Sequence, residues 1–371
     1  MKTRIASVAT PIGIFLVGCL MNASCMPLSN LEFDSSQPEM VAFPSCNALT
    51  GYLKQQAIFE AGFQQNALER GSVYSTMGFA GEAPQLDTGS EPTLDAGQLA
   101  YSETNLQEEG VDEADLFKVD GTHAFAVHGR QLIIIGALGT VDEEQGGVLK
   151  IDGGEVLAKV DVTGNPFEMF LHEDRVVVMT RTTQTQVAAE VGAAAETRPG
   201  STELSKALVY DVTDRSNPVL EREVIIEGNY LSSRRIGDQV YIVARSVFDG
   251  PDFDSPVSVE AAWFVTQQMA IQRAPLTAWM PGFYNVQHEN GAAEAQRGEI
   301  DCTATYASKA TNGDEVLGIF SFDVSNPKSE VHTASIIGDG AVVYGSTKSL
   351  IIALTNYGEL LYGDSGTRNT P

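Results

Sequence analysis

The chain has 371 residues, of which 43% are hydrophobic, and carries a formal net charge of −26. That length suits one large domain or two ordinary ones, and the hydrophobic share supports a sizeable core. The charge argues against nucleic acid or anionic lipid as a partner, because no basic patch offsets it. An acidic coat that keeps the chain in solution is the simplest use of such a surface; binding a cation or a cationic partner is the other.

Lys2 and Arg4 precede an apolar stretch with its core at Ile12 to Val17, too short to span a bilayer. Leu16-Val17-Gly18-Cys19 follows and resembles a bacterial lipobox. Residues 1–18 are therefore expected to be a signal peptide, with Cys19 lipidated as the new N-terminus. An ordinary secretory signal cut after Asn22-Ala23-Ser24 is the alternative. Several acyl chains on Cys19 suffice for stable anchoring. The expected location is the cell envelope, at the outer membrane or its periplasmic face, with secretion as the alternative.

Residues 19–44 lack periodicity and are rich in Ser, Asn, Pro and acid, which marks a tether. In residues 45–71, Leu49, Leu53, Ala57 and Ala61 recur every four positions, with Ile58 beside them. Ser45 can cap the start and Gly71 the end. This predicts a short amphipathic helix, interrupted at Gly62, that docks on the main domain. Residues 72–101 are rich in Gly, Ser, Pro and Thr and read as a linker.

Short apolar runs then dominate: Phe125–Val127, Leu132–Ile135, Val156–Val160, Val176–Met179, Ala207–Val212, Val219–Ile226 and Val240–Val243 among them. No long helical pattern intervenes, so antiparallel hairpins are favoured over βαβ units. Two repeats interleave. Asp161-Val162-Thr163-Gly164-Asn165-Pro166 recurs as Asp211-Val212-Thr213 with Asn217-Pro218, and as Asp323-Val324-Ser325-Asn326-Pro327. Asp with Thr or Ser favours a side-chain-bonded turn, and Asn-Pro forces an extended exit, so each copy ends one strand and launches the next. Between them lie hairpins at Ala124–Ile135, Phe170–Val178, Ser233–Val243 and Val343–Ala353. Two hairpins joined by such a junction make a four-stranded blade, and a series of blades makes an all-β propeller. About three and a half blades are present, over residues 102–365. Residues 182–205 read as a loop. Residues 246–314 read as an insertion over one face, with a helix predicted from Val257 to Arg273.

The run Ser102–Gly121, S-E-T-N-L-Q-E-E-G-V-D-E-A-D-L-F-K-V-D-G, leads into the first blade. It resembles the TN-x-Q-x-x-GVDEAD-x-x-K-x-DG lead-in of bacterial secreted proteins whose C-terminal β-propeller is distantly related to WD40 repeats. The segments Leu208–Ala244 and Leu317–Ala353 resemble the same family. The resemblance implies that Cys46, which opens the helix, pairs with Cys302, which follows Asp301 in a later loop. Such a bridge closes a very long loop and stabilises by about 4–5 kcal/mol in the chain-entropy account. Cys25 is left over, and Cys25–Cys302 is the rival pairing. The family's propeller is longer than the span here, so this chain is expected to be a truncated form, or else to oligomerise or pair its open edge with another chain.

Catalytic signatures are missing from the sequence. None of His123, His128, His172, His288 and His332 lies in H-E-x-x-H, no G-x-S-x-G elbow occurs, and Gly345-Ser346-Thr347-Lys348-Ser349 is not a phosphate-binding loop. Two carboxylate clusters remain: Asp112, Glu113 and Asp115 with Asp120, and Asp249, Asp252 and Asp254. Calcium takes several such oxygens and is the one cofactor either cluster admits, although neither has EF-hand spacing. The function expected is binding or scaffolding in the envelope, with a membrane contact through the lipid and a protein or glycan partner. The alternative is a propeller-fold hydrolase or lyase with a dispersed carboxylate site.

Overall fold

Four sheets carry the fold, and the repeats explain how they are built. The computed structural model describes residues 14–19, 40–69, 110–136, 140–142, 148–150, 154–191, 203–247, 260–308, 315–338 and 340–355. In chain order the first elements are β1 (Ile14–Cys19), β2 (Met40–Ala42), α1 (Cys46–Glu69), β3 (Val111–Glu113), β4 (Phe117–Val119), β5 (Ala124–His128) and β6 (Gln131–Gly136). A small hairpin, β7 (Thr140–Asp142) and β8 (Val148–Lys150), precedes β9 (Glu155–Asp161), β10 (Asn165–His172), β11 (Arg175–Thr183) and α2 (Gln184–Val191). Next come β12 (Glu203–Asp211), β13 (Val219–Glu227), β14 (Asn229–Ile236), β15 (Gln239–Val247) and α3 (Glu260–Arg273). The last are β16 (Gly282–Glu289), β17 (Ala292–Glu299), β18 (Thr305–Ser308), β19 (Glu315–Asp323), β20 (His332–Ile337), β21 (Gly340–Ser346) and β22 (Ser349–Thr355).

The first sheet is β4-β5-β6-β9 and the second β10-β11-β12-β13-β16-β17. The third is β2-β18-β20-β19-β15-β14-β3 and the fourth β1-β22-β21. Each of the first three contains the expected four-stranded antiparallel blade.

One hydrogen bond recurs at the junctions. The amides of Val162, Val212 and Val324 donate to the carbonyls of Arg130, Asp174 and Asp238 at 2.8, 2.9 and 2.8 Å. Each valine is the second residue of the Asp-Val-Thr/Ser repeat, and each is buried. Each carbonyl belongs to the turn of a neighbouring hairpin. The repeat thus fastens the exit of one strand to the turn beside it. The aspartates shape the same corner: Asp211 accepts from the Thr213 amide at 2.7 Å and Asp323 from the Ser325 amide at 2.8 Å.

Apolar residues alternate along these strands, so consecutive sheets pack face to face. Phe125, Leu132 and Ile134 of the first sheet meet Met169, Val176 and Leu208 of the second. Phe170, Val177 and Val209 of the second meet Val240, Ile242 and Phe320 of the third, and Leu49, Leu53, Ile271 and Trp279 join this core. Val243, Leu317 and Ile336 of the third meet Val343, Leu350 and Ile352 of the fourth. Each fully buried Phe, Leu or Ile contributes about 1.5–3 kcal/mol relative to exposure.

Several expectations change. α1 runs unbroken across Gly62 to Glu69. Its start is as read: the Ala48 amide donates to Ser45 Oγ at 3.2 Å. The tether contributes Met40–Ala42 as a strand, because β18 offers it an open antiparallel edge. Residues 182–205 hold the helix α2 rather than a loop alone. The insertion does not lie over one face as a unit. Its helix α3 covers the middle core, but β16 and β17 extend the second sheet, and β18 joins the third beside β20, in parallel. Asn290 and Gly291, with φ of +52° and +79°, turn the β16–β17 hairpin. Ile14–Cys19, the end of the expected signal peptide together with Cys19, pairs antiparallel with β22. The same β-branched and aromatic side chains that make a signal core also suit an edge strand.

Candidate functional site

The acidic lead-in crosses from sheet to sheet. Val111, Asp112 and Glu113 of β3 pair with Ile236, Arg235 and Arg234 of β14 in the third sheet. Asp115 and Met169 of the second sheet exchange two backbone hydrogen bonds, at 3.0 and 2.8 Å. Phe117–Val119 then opens the first sheet against β5. The fourth sheet is near too: a Cβ on Gly345 would lie 3.1 Å from Val111, and one on Gly110 would lie 3.0 Å from Thr347. An extended residue advances at most about 3.6 Å, so a segment this short joins the sheets only where their leading edges converge.

Charge follows the same path. Asp112 accepts from Lys118 Nζ at 2.8 Å and from Arg235 at 3.1 and 3.2 Å. Lys118 is only 9% exposed, so this pairing holds an ammonium that water barely reaches. Glu113 pairs with Arg234 at 3.1 Å. Arg235 also reaches His172 Nδ1 at 3.2 Å, and His172 Nε2 lies 2.7 Å from Asp238. A guanidinium can only donate, so Nδ1 accepts and the ring proton sits on Nε2, facing the Asp238 carboxylate. Asp120 accepts from the Thr122 and His123 amides at 3.0 and 2.7 Å and pairs with Arg215 at 3.1 Å. Burial pushes its carboxyl up, but those donors outweigh burial and hold it below the usual range. Arg215 also binds Asp174, at 2.7 Å, and so ties the lead-in to the second sheet.

A second polar cluster lies nearby, between β10 and β14. The Tyr230 hydroxyl donates to Glu168 Oε1, and Ser233 Oγ lies 2.8 Å from the phenol oxygen. Phe167 packs edge-on against Tyr230 with ring centres 4.8 Å apart, and Arg181 stacks on Phe167 at 4.5 Å. Burial raises the Glu168 carboxyl above its ordinary value, despite the two hydroxyls and the nearby Arg234 and Arg181. It raises the Tyr230 phenol as well, and the Glu168 charge adds to that shift. A carboxyl whose neutral form burial favours has the character of a proton donor.

The family model described as a beta propeller domain matches residues 101–368. The chain belongs to this beta propeller family. Comparison with curated protein sequences returned no match. The matched span takes in the lead-in and every blade strand from β3 to β22, with β1, β2 and α1 before it.

Within the propeller, Asp112, Glu113 and Asp115 do lie together, but Asp112 and Glu113 hold cations of the protein itself. Asp115 is exposed and accepts from the Leu116 amide at 2.6 Å. Asp249, Asp252 and Asp254 lie outside the described residues. Among the described residues no group of three or more His, Cys, Asp or Glu side chains is arranged to hold a metal ion. Cys46 and Cys302 are joined as a disulfide, Cα–Cα 5.1 Å, which links α1 to the turn before β18 across 256 residues. Cys19 ends β1, and Cys25 is outside the described residues. No helix among the described residues is long and apolar enough to cross a membrane. Sequence reasoning missed Glu168, Tyr230 and Ser233. Glu168 follows an Asn-Pro junction and has no motif of its own; only the pairing of β10 with its neighbours brings it to Tyr230.

Proposed function

We propose that this propeller is a lipid-anchored binding or scaffolding module of the bacterial cell envelope that takes a protein or glycan partner. The observation that carries the reading is the state of the lead-in carboxylates. Asp112, Glu113 and Asp120 are each held by a lysine or arginine of the same chain, which suits a framework rather than a reaction centre. A general base or a metal ligand needs a lone pair that is not already engaged in this way. The lipobox at Leu16–Cys19 supports the anchor, and the lead-in resemblance to secreted propellers related to WD40 repeats supports the compartment. Lipidation at Cys19 follows removal of residues 1–18, so the mature chain gives up most of β1.

Palmitate labelling of cells expressing the full chain tests the anchor: label should be lost in Cys19→Ala, and label retained by that variant sinks the proposal. The framework reading has its own test. Asp112→Asn leaves Lys118 and Arg235 without their carboxylate and should cost about 3 kcal/mol of stability. An unchanged denaturation midpoint would free Asp112 for chemistry and defeat the reading.

Glu168 favours a second reading, a propeller-fold hydrolase or lyase. Its raised carboxyl, set among Tyr230, Ser233 and Arg181, has the character of a proton donor. A hydrolytic screen on glycan and peptide substrates, with Glu168→Gln as the control, decides it: turnover lost in the variant supports the enzyme, and the lack of any turnover in the parent removes it.

A further inference from the structure

The outer edges of the sheets are not protected alike. A sheet edge offers unpaired amides and carbonyls to any passing strand, and chains commonly blunt it with lysine, proline, a bulge or a very short strand. In the first sheet the outer strand β9 carries Lys159 and meets β6 through a register shift. The third sheet ends in β2, three residues long. The second ends in β17, which has eight residues, no lysine, no proline and an unbroken register with β16 from Ala292 to Glu299.

The tight turn fixes which backbone groups of β17 face outward. Asn290-Gly291 joins Glu289 to Ala292, and the pair flanking a two-residue turn is hydrogen-bonded. Hydrogen-bonded and open pairs then alternate, so His288–Ala293 and Val286–Ala295 are open pairs. The amides and carbonyls of Ala293 and Ala295 therefore point away from β16. Among the described residues no backbone hydrogen bond from a turn, loop or cap reaches them. Every residue from Ala292 to Gln296 is exposed. Ala292, Ala293 and Ala295 put no bulk in the way of a second backbone.

Charge selects the occupant. Glu294 and Glu299 are exposed on this strand. Arg297, its one cation, is committed at 2.9 Å to Glu227, a carboxylate only 1% exposed. The edge thus refuses an acidic strand, and with it a second copy of a chain whose net charge is −26. We propose that β17 is the docking edge of this propeller, where an extended cationic segment of a protein partner adds as a further strand. Main-chain hydrogen bonds to Ala293 and Ala295 hold that segment, and a lysine or arginine opposite Glu294 sets its register. The inference rests on the reading of the propeller as a binding module for a protein partner, and it names where and how that partner sits.

The test uses the full chain and a fluorescent peptide of alternating lysine and valine, with binding followed by anisotropy. The parent should bind the peptide, and less tightly as salt rises. Ala295→Pro removes an outward amide and leaves the β16 ladder alone, a position where an edge strand accepts proline, and should weaken binding by about tenfold. Ala295→Val keeps that amide and should bind as the parent does. Glu294→Lys, at an exposed position, should weaken binding by about fivefold. Circular-dichroism melts check folding; where Ala295→Pro does not fold, Ala293→Pro replaces it with the same expected loss, and if neither folds Glu294→Lys decides. Binding that a folded proline variant leaves intact overturns the docking edge while the binding module stands. No binding by the parent overturns it as well, and the Asp112→Asn measurement then decides the framework reading separately. A dimer in light scattering that Ala295→Pro dissolves gives the edge to a second copy and overturns the cationic partner.

Discussion

The junction between the second and third sheets differs from the two ends of the arc. In the middle, buried side chains from both sheets meet α1 and α3, and the Cys46–Cys302 bridge and Lys54, whose ammonium donates to the Gln272 carbonyl at 2.7 Å, fasten the helices there. At the ends, the first and fourth sheets each join, among the described residues, a single core cluster. The same blade architecture therefore has different consequences according to its neighbours. A sheet that shares its core with two helices and a disulfide belongs to the global unfolding unit, whereas one with fewer such partners opens locally at lower free energy.

The largest effect should come from striking that contrast directly. Phe320→Ala empties a fully buried site in the middle core and should cost about 3–5 kcal/mol, read from urea denaturation. Ile133→Ala, at a half-buried site in the first sheet, should cost less than about 2 kcal/mol. Equal costs would erase the distinction between middle and ends.

Acid probes the same contrast with smaller effect. The folded-state carboxyl of Asp120 lies below its unfolded value, so its stabilisation is complete above the unfolded pKa. That stabilisation disappears as pH falls through the folded pKa. Glu168, between the second and third sheets, has the opposite sign: its folded value is raised, so its contribution is present at low pH and is lost as pH rises through that value. Asp120→Asn should flatten the acid side of a plot of melting temperature against pH. Glu168→Gln should raise the melting temperature more at neutral than at acid pH, and a uniform shift across pH would contradict the sign assigned to it.

The smallest effect concerns a hairpin turn. Gly129 and Gly237 open their turns with φ of +60° and +58°, and Glu173 holds the matching position at +50°. A side chain there costs about 1–2 kcal/mol, which glycine avoids at some loss of chain entropy. Glu173→Gly should therefore stabilise by roughly 0.5–1 kcal/mol in a thermal melt, and a loss of stability would show that Glu173 has a role in that turn.

Much of the blade pattern was legible because it is local. Asp-Val-Thr/Ser, the two-residue turns and the apolar alternation all act over a few residues, and they marked β5, β6 and β22 to within a residue or two and the first halves of β11 and β15. β17 was not legible: Ala292–Glu299 has no alternation, and its strand exists because β16 offers an edge. Gly298 records that pairing, since a Cβ there would run into the Phe283 ring. The parallel contact of β18 with β20 leaves no trace in the sequence either. At the candidate site, the acids of the lead-in were plain but their partners were not: Arg235 lies 123 residues beyond Asp112. Glu168 had no signal, because its raised carboxyl follows from burial between strands.

That separation has a consequence during synthesis. At about 5–20 residues per second, roughly 6–25 seconds pass between the emergence of Asp112 and that of Arg235. For that interval the lead-in has none of the third-sheet edge it will join. A hydrophobic segment left waiting so long would invite aggregation. Asp112, Glu113, Asp115 and Asp120 instead keep the nascent segment hydrated until the arginines that neutralise it have been made.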